Sequence, residues 1–139
     1  MRAYLLGGFI AVVVVLAAGK AVAHHSFAAE FDSTKRVTLS GVVTKVEWTN
    51  PHVWIYFNVK DEKTGEVTNW GAEFGPPHGL QRSGWRRDTV KIGEKVIVTE
   101  AALAKNGSKR VNARTITLAS TGARPGTTLD AVSSEGRTP

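Results

Sequence analysis

From Arg36 to Trp48 (RVTLSGVVTKVEW) apolar residues alternate with polar ones, with Val37 and Leu39 in one phase and Val42, Val46 and Trp48 in the other. A period of two predicts a strand. The phase changes at Gly41-Val42-Val43, where an extra residue in a β-bulge would let one long strand bend and serve both sides of a curled sheet. After Asn50-Pro51, a turn or strand-entry dipeptide, His52 to Lys60 (HVWIYFNVK) sets Val53, Ile55, Phe57 and Val59 on one face. His52, Trp54, Tyr56 and Asn58 take the other, so the first face is predicted to be core. The polar, glycine-closed stretch Asp61 to Gly65 predicts a hairpin loop, and a third strand returns over Glu66 to Phe74. Trp70, Ala72 and Phe74 share one phase of that strand, and Val67, Asn69 and Glu73 the other.

Pro76 to Gly84 has proline at its start and glycine at its end, which predicts a short helix or turn. Two more strands follow, Lys95 to Ala101 after the Gly93 turn and Arg110 to Leu118 after Asn106-Gly107. From Ser120 to Pro139 the chain is rich in Ser, Thr, Gly and Pro, with too few apolar residues for a packed element, and is expected to be a flexible tail. The fold expected is therefore all-β. Five strands, a bulged first strand and a short helix between strands 3 and 4 match the small, partly open Greek-key barrel called the OB-fold, spanning residues 24–119.

Ahead of the strands, Leu5 to Ala18 (LLGGFIAVVVVLAA) is an apolar run behind the basic Arg2, followed by Ala21-Val22-Ala23. That pattern predicts a cleavable signal peptide over residues 1–23 and a periplasmic or secreted protein. The run is shorter than the roughly 20 residues that cross a bilayer, so no stable membrane span is expected after cleavage. Removal of 23 residues from 139 leaves 116, the size of one domain. With no cysteine, disulfides, thiolate metal sites and cysteine nucleophiles are excluded. The chain carries +6, of which Arg2 and Lys20 leave with the signal; the remaining charge is too modest and too dispersed to argue for nucleic acid as a partner.

Cleavage after Ala23 would give the terminus His24-His25-Ser26-Phe27, with a free amine beside two imidazoles. The amine titrates near about 8 in model peptides, and such nitrogen ligands favour Cu(II) over Zn(II). The terminus resembles the histidine brace of copper-dependent polysaccharide monooxygenases and of some periplasmic copper carriers, but only His24 maps onto it, so neither their oxygenase chemistry nor their substrates carry over. His24, His25, His52 and His78 are the candidate metal ligands, and copper the candidate cofactor. Trp54 and Tyr56, in line with His52 on the non-core face of the second strand, are candidate ligand-binding residues, because aromatic rings on such a face can stack on sugars or bases. Trp70 and Glu73 of the third strand join them, Glu73 also as an oxygen ligand or base. No nucleophile elbow or phosphate-binding glycine loop is present, so catalytic residues are not assigned. Arg82, Arg86, Arg87, Lys91 and Lys95 form a basic stretch around Trp85 that reads as a solvated face or an anion-meeting surface.

The stretches His24-His25-Ser26-Phe27, Trp48-Thr49-Asn50-Pro51-His52, Trp70 with Glu73, and Gly84-Trp85 resemble a family of small exported bacterial proteins known as a domain of unknown function. The likeness runs from about Ala23 to Leu118. It implies a bacterial, periplasmic, OB-like protein and supplies no reaction, ligand or catalytic residue. The function expected is a periplasmic, non-enzymatic binding module of unknown ligand, with Cu(II) held by its N-terminal histidines. The alternatives are a copper-dependent redox enzyme acting on an extracytoplasmic polymer and an envelope protein-interaction domain.

Overall fold

The computed structural model describes residues 27–119 and 127–131. Residues 1–26, which include the expected signal peptide, His24 and His25, lie outside the described residues. The elements are β1 (Phe31–Glu47), β2 (Trp54–Lys60), β3 (Val67–Glu73), α1 (Pro77–Arg82), β4 (Lys95–Ala104), β5 (Arg110–Asn112), β6 (Thr115–Leu118) and β7 (Thr127–Asp130), with residues 27–30 also helical. The all-β expectation holds. The sheet runs β1-β2-β3-β5-β4-β6-β7, and a further β1–β4 pairing closes β1, β2, β3, β5 and β4 into a five-strand ring.

β1 makes the ring possible because one strand supplies two ladders. Val37 to Val42 pair with β4, and Val42 to Glu47 pair with β2. The handover falls at Gly41-Val42, where the phase change in the sequence predicts the bend. Gly41 is required there: a Cβ at this position would lie 2.3 Å from the Asn58 carbonyl oxygen and 2.9 Å from the Phe57 ring. The bulge against β2 falls slightly later, between Val43 and Lys45. This corrects the expected phases. Val43 joins Gly41 inside, whereas Val42, expected in phase with Val46 and Trp48, points outward and is 45% exposed. A valine can pair in a ladder from either face, so its apolar character alone did not fix its side.

β2 follows the pattern read from the sequence, entered through a cis Asn50–Pro51 bond. Val53, Ile55 and Phe57 are fully buried and Val59 packs against the same core. Each such side chain contributes about 1.5–3 kcal/mol over its exposed state. α1 begins with Pro77 in its first turn, buries Leu80, and is followed by Trp85, whose ring packs 5.5 Å from that of Phe74.

The strand expected over Arg110 to Leu118 is divided into β5 and β6. Its pairing with β4 resumes in the same register, Ala102 with Asn112 and then Thr99 with Thr115. At the break Ala113 donates its amide to the Glu73 carbonyl at 2.9 Å, which draws β5 toward β3. The expected flexible tail also needs correction, since residues 127–130 form β7 on β6 and Ala131 is fully buried. Backbone bonds fix this segment: the Ala131 amide donates to the Arg114 carbonyl, the Gly75 amide to the Ala131 carbonyl, and the Trp85 indole N–H to the Asp130 carbonyl at 3.1 Å. Carbonyl acceptors of this kind leave no mark in the side-chain pattern.

Candidate functional site

The alternation that sends Ile55 and Phe57 inward sends Trp54 and Tyr56 outward, where both stay half-buried. Their rings are stacked, with centroids 6.2 Å apart and planes 22° from parallel. Beneath them, β3 presents Gly71, in register with Tyr56. A Cβ on Gly71 would lie 3.1 Å from Tyr56 Cε1 and 3.5 Å from Trp54 Cε3, so the absent side chain leaves the room that both rings use.

Neighbouring strands add a cation at each end. From β1, Lys45 sits with its Nζ 5.4 Å from the Tyr56 ring centroid; from β5, Arg110 holds its guanidinium carbon 5.1 Å from the Trp54 ring. The contacts form a row, Lys45–Tyr56–Trp54–Arg110, that crosses the outside of the ring of strands. Glu47 ties down one end: Lys45 Nζ lies 2.5 Å from its Oε1, and the Tyr56 hydroxyl donates to its Oε2 at 3.1 Å.

These contacts shift proton affinities. The hydrogen bonds from Lys45 and then Tyr56 hold the Glu47 carboxyl below its ordinary value, and Glu47 in turn raises the Lys45 ammonium. Burial, followed by the hydrogen bond to Glu47, pushes the Tyr56 phenol above its ordinary 10.0.

Beside Trp54 lies a second polar group. Glu73, opposite Trp54 in register, is only 4% exposed although it occupies the outward phase. His52 Nδ1 lies 3.1 Å from Glu73 Oε1, and the buried Asn112 amide donates to the same oxygen at 3.4 Å. A carboxylate on one imidazole nitrogen fixes the ring's orientation and directs its other nitrogen elsewhere.

Of the residues singled out in the sequence, His52, Trp54, Tyr56 and Glu73 meet on one face. Trp70 does not join them. It lies in the core-facing phase opposite Phe57, with Lys109 Nζ 5.2 Å from its ring. His78 is exposed in the first turn of α1. Among the described residues, no three His, Cys, Asp or Glu side chains group where they could hold a metal ion. His24 and His25 lie outside the described residues.

Sequence reading did not single out Lys45, Glu47, Gly71, Arg110 or Asn112. Lys45 and Glu47 had a usable signal, as polar residues two apart, and so on one face, of the first predicted strand. Arg110 had none, because a β5 residue reaches Trp54 only through the parallel β3–β5 pairing of Gly71 with Arg110.

No helix among the described residues is long and apolar enough to cross a membrane. No curated protein and no solved structure matches the chain. The model of one family of unknown function, DUF6152, matches residues 11–113, a span that takes in β1 through β5 and every residue of this outer face, and the chain belongs to that family.

Proposed function

We propose that this chain is an exported, non-enzymatic binding module whose ligand lies along the row Lys45–Tyr56–Trp54–Arg110. One observation carries the reading: two neighbouring aromatic rings stand stacked and half-exposed on the outside of a sheet, over a glycine whose missing side chain makes room for them. Strand propensity alone would be served by Thr or Val at these positions, without leaving large rings in contact with water. The five-strand ring, the shared β1 and α1 between β3 and β4 support an OB-like Greek-key barrel, in which the face of strands 2 and 3 takes up oligosaccharides or oligonucleotides.

Nitrogen-15 chemical-shift mapping tests this. The purified protein is titrated with neutral oligosaccharides, acidic oligosaccharides and short oligonucleotides. At least one class should give saturable shifts clustered on β2, β3 and β5. Shifts that never saturate, or that map elsewhere, would count against the reading. Fractionation of the native cell should recover the protein outside the cytoplasm with His24 as its first residue.

A second reading adds Cu(II), and the Glu73–His52 contact favours it, since carboxylates commonly orient metal-binding imidazoles in this way. His52 Nε2 would then complement the amine and imidazoles of His24 and His25. Calorimetry should show one Cu(II) equivalent bound, and one extra residue ahead of His24 should weaken binding. Equal uptake by both forms would rule out the terminal chelate.

A further inference from the structure

We infer that the ligand of this face is an acidic oligosaccharide, a run of sugars bearing carboxylates, and that Arg110 selects its charge. The inference rests on the binding face proposed above and adds the ligand's chemistry.

Three features of the row carry it. The first is the inequality of its two cations. Lys45 is already neutralised by Glu47, whereas exposed Arg110 has no carboxylate within ion-pair distance among the described residues. The Trp54 ring holds its guanidinium from one side. A guanidinium beside a ring, with no carboxylate of its own, keeps N–H donors available, and their fork matches a carboxylate bidentately.

The second feature is the pair of rings, half-exposed apolar surfaces of the size of a pyranose. A sugar turns its C–H face onto such a ring while its hydroxyls and carboxylate point to the rim.

The third lies just past Tyr56. Asn69 Nδ2 donates to Asn58 Oδ1 at 2.8 Å and to Thr44 Oγ1 at 3.0 Å, joining β3, β2 and β1 in one exposed polar strip. Within that strip Asn58 keeps its amide donors and Asn69 its carbonyl oxygen, a donor and an acceptor side by side as sugar hydroxyls require. Cation, ring, ring and amides thus succeed one another across the outer face.

A polyphosphate fits this row less well. Single-stranded nucleic acid is tracked by a continuous basic groove, and here Glu47 places a carboxylate among the contacts.

The test is titration calorimetry on the purified protein with trimers of galacturonate, glucuronate and mannuronate, their neutral hexose counterparts, a thymidine oligomer and phosphatidylglycerol vesicles. At least one uronate trimer should bind ten times more tightly than its neutral counterpart, with an advantage that falls as salt is raised. Arg110→Ala should remove that tenfold advantage, so that the acidic and neutral trimers bind alike, and Arg110→Lys should restore part of it, because an ammonium keeps the charge and loses the fork. Equal affinity for acidic and neutral trimers, or an advantage that survives Arg110→Ala, overturns the assignment to Arg110. In either case, binding that Trp54→Ala abolishes would leave the binding face standing. Binding of the oligonucleotide or the vesicles with neither kind of saccharide overturns the ligand class, and no saturable binding by any probe overturns both readings.

Discussion

The two faces of β2 and of the two residues that lead into it are built from alternate residues of the segment 52–60, yet they answer to different demands. The inner face is apolar, with Val53, Ile55 and Phe57 fully buried and Val59 packed against the same core. The outer face, His52, Trp54, Tyr56 and Asn58, is half-open, and nearly every one of its contacts is polar or electrostatic. Side chains on the inner face are therefore held by exclusion of water, a non-directional force in proportion to buried area. Those outside are held by specific partners on β1, β3 and β5, any of which can be exchanged for a ligand group. The difference separates what stabilises this protein from what is available for recognition.

The largest test of that separation is to truncate one ring on each face. Phe57→Ala should cost about 3–5 kcal/mol by denaturant unfolding, the range for a fully buried aromatic. Tyr56→Ala, on the adjacent residue, should cost only about 1–2 kcal/mol, for one hydrogen bond and partial burial. Comparable losses would break the comparison.

Glycine offers the next contrast. Gly41→Ala drives a methyl against the Asn58 backbone on the inner side and should cost about 3 kcal/mol, the upper end of ordinary overpacking. Gly71→Ala meets only the rings of Tyr56 and Trp54, which can tilt, and should cost about 1 kcal/mol while weakening ligand binding. Unfolding curves of the two variants decide whether backbone or side chain is the harder neighbour.

A smaller effect is expected from pH, and of the two faces only the outer one has titratable groups to respond. Glu47 has its folded value lowered, so its contribution is present above its ordinary 4.5 and is lost as pH falls through the folded value. Tyr56 has its folded value raised, so its contribution is present below 10.0 and is lost as pH rises through the folded value. Tyr56 is the only tyrosine beyond the expected signal segment, so ultraviolet difference absorbance of the cleaved protein reads it alone. Its midpoint should lie above 10.0. Glu47→Gln should lower the midpoint without bringing it fully to 10.0, because burial is the larger cause. A wild-type midpoint at or below 10.0 would contradict the geometry.

The smallest expected change is at Ser108, whose hydroxyl is buried with no hydrogen-bond partner among the described residues. Ser108→Ala should leave stability unchanged or raise it by about 1 kcal/mol, and a clear loss in thermal unfolding would show an interaction not seen in this arrangement.

What was legible in the sequence follows from the same contrast. The core face of β2 could be read directly because period-two alternation is a local signal, and the change of phase along β1 because Val37 and Leu39 stand opposite to Val46 and Trp48, although it falls at the bulge between Val43 and Lys45. His52, Trp54, Tyr56 and Glu73 were found as well, since each stands in the outward phase of its strand. Val42 was misplaced because a bulge two residues later decides its side. The division of β5 from β6 and the docking of β7 depend on main-chain carbonyls of Glu73, Arg114, Asp130 and Ala131, which no side-chain pattern announces. Arg110 escaped because its role depends on a pairing between strands distant in the chain.

The most direct test of the central claim, that the outer face of β2 serves recognition and the inner face stability, is a chemical-shift titration of the Trp54→Ala/Tyr56→Ala double variant with the uronate and neutral trimers. The account predicts a dispersed, folded amide spectrum in which saturable shifts along β2, β3 and β5 are gone. A folded variant that still binds with the affinity of the parent protein would contradict it.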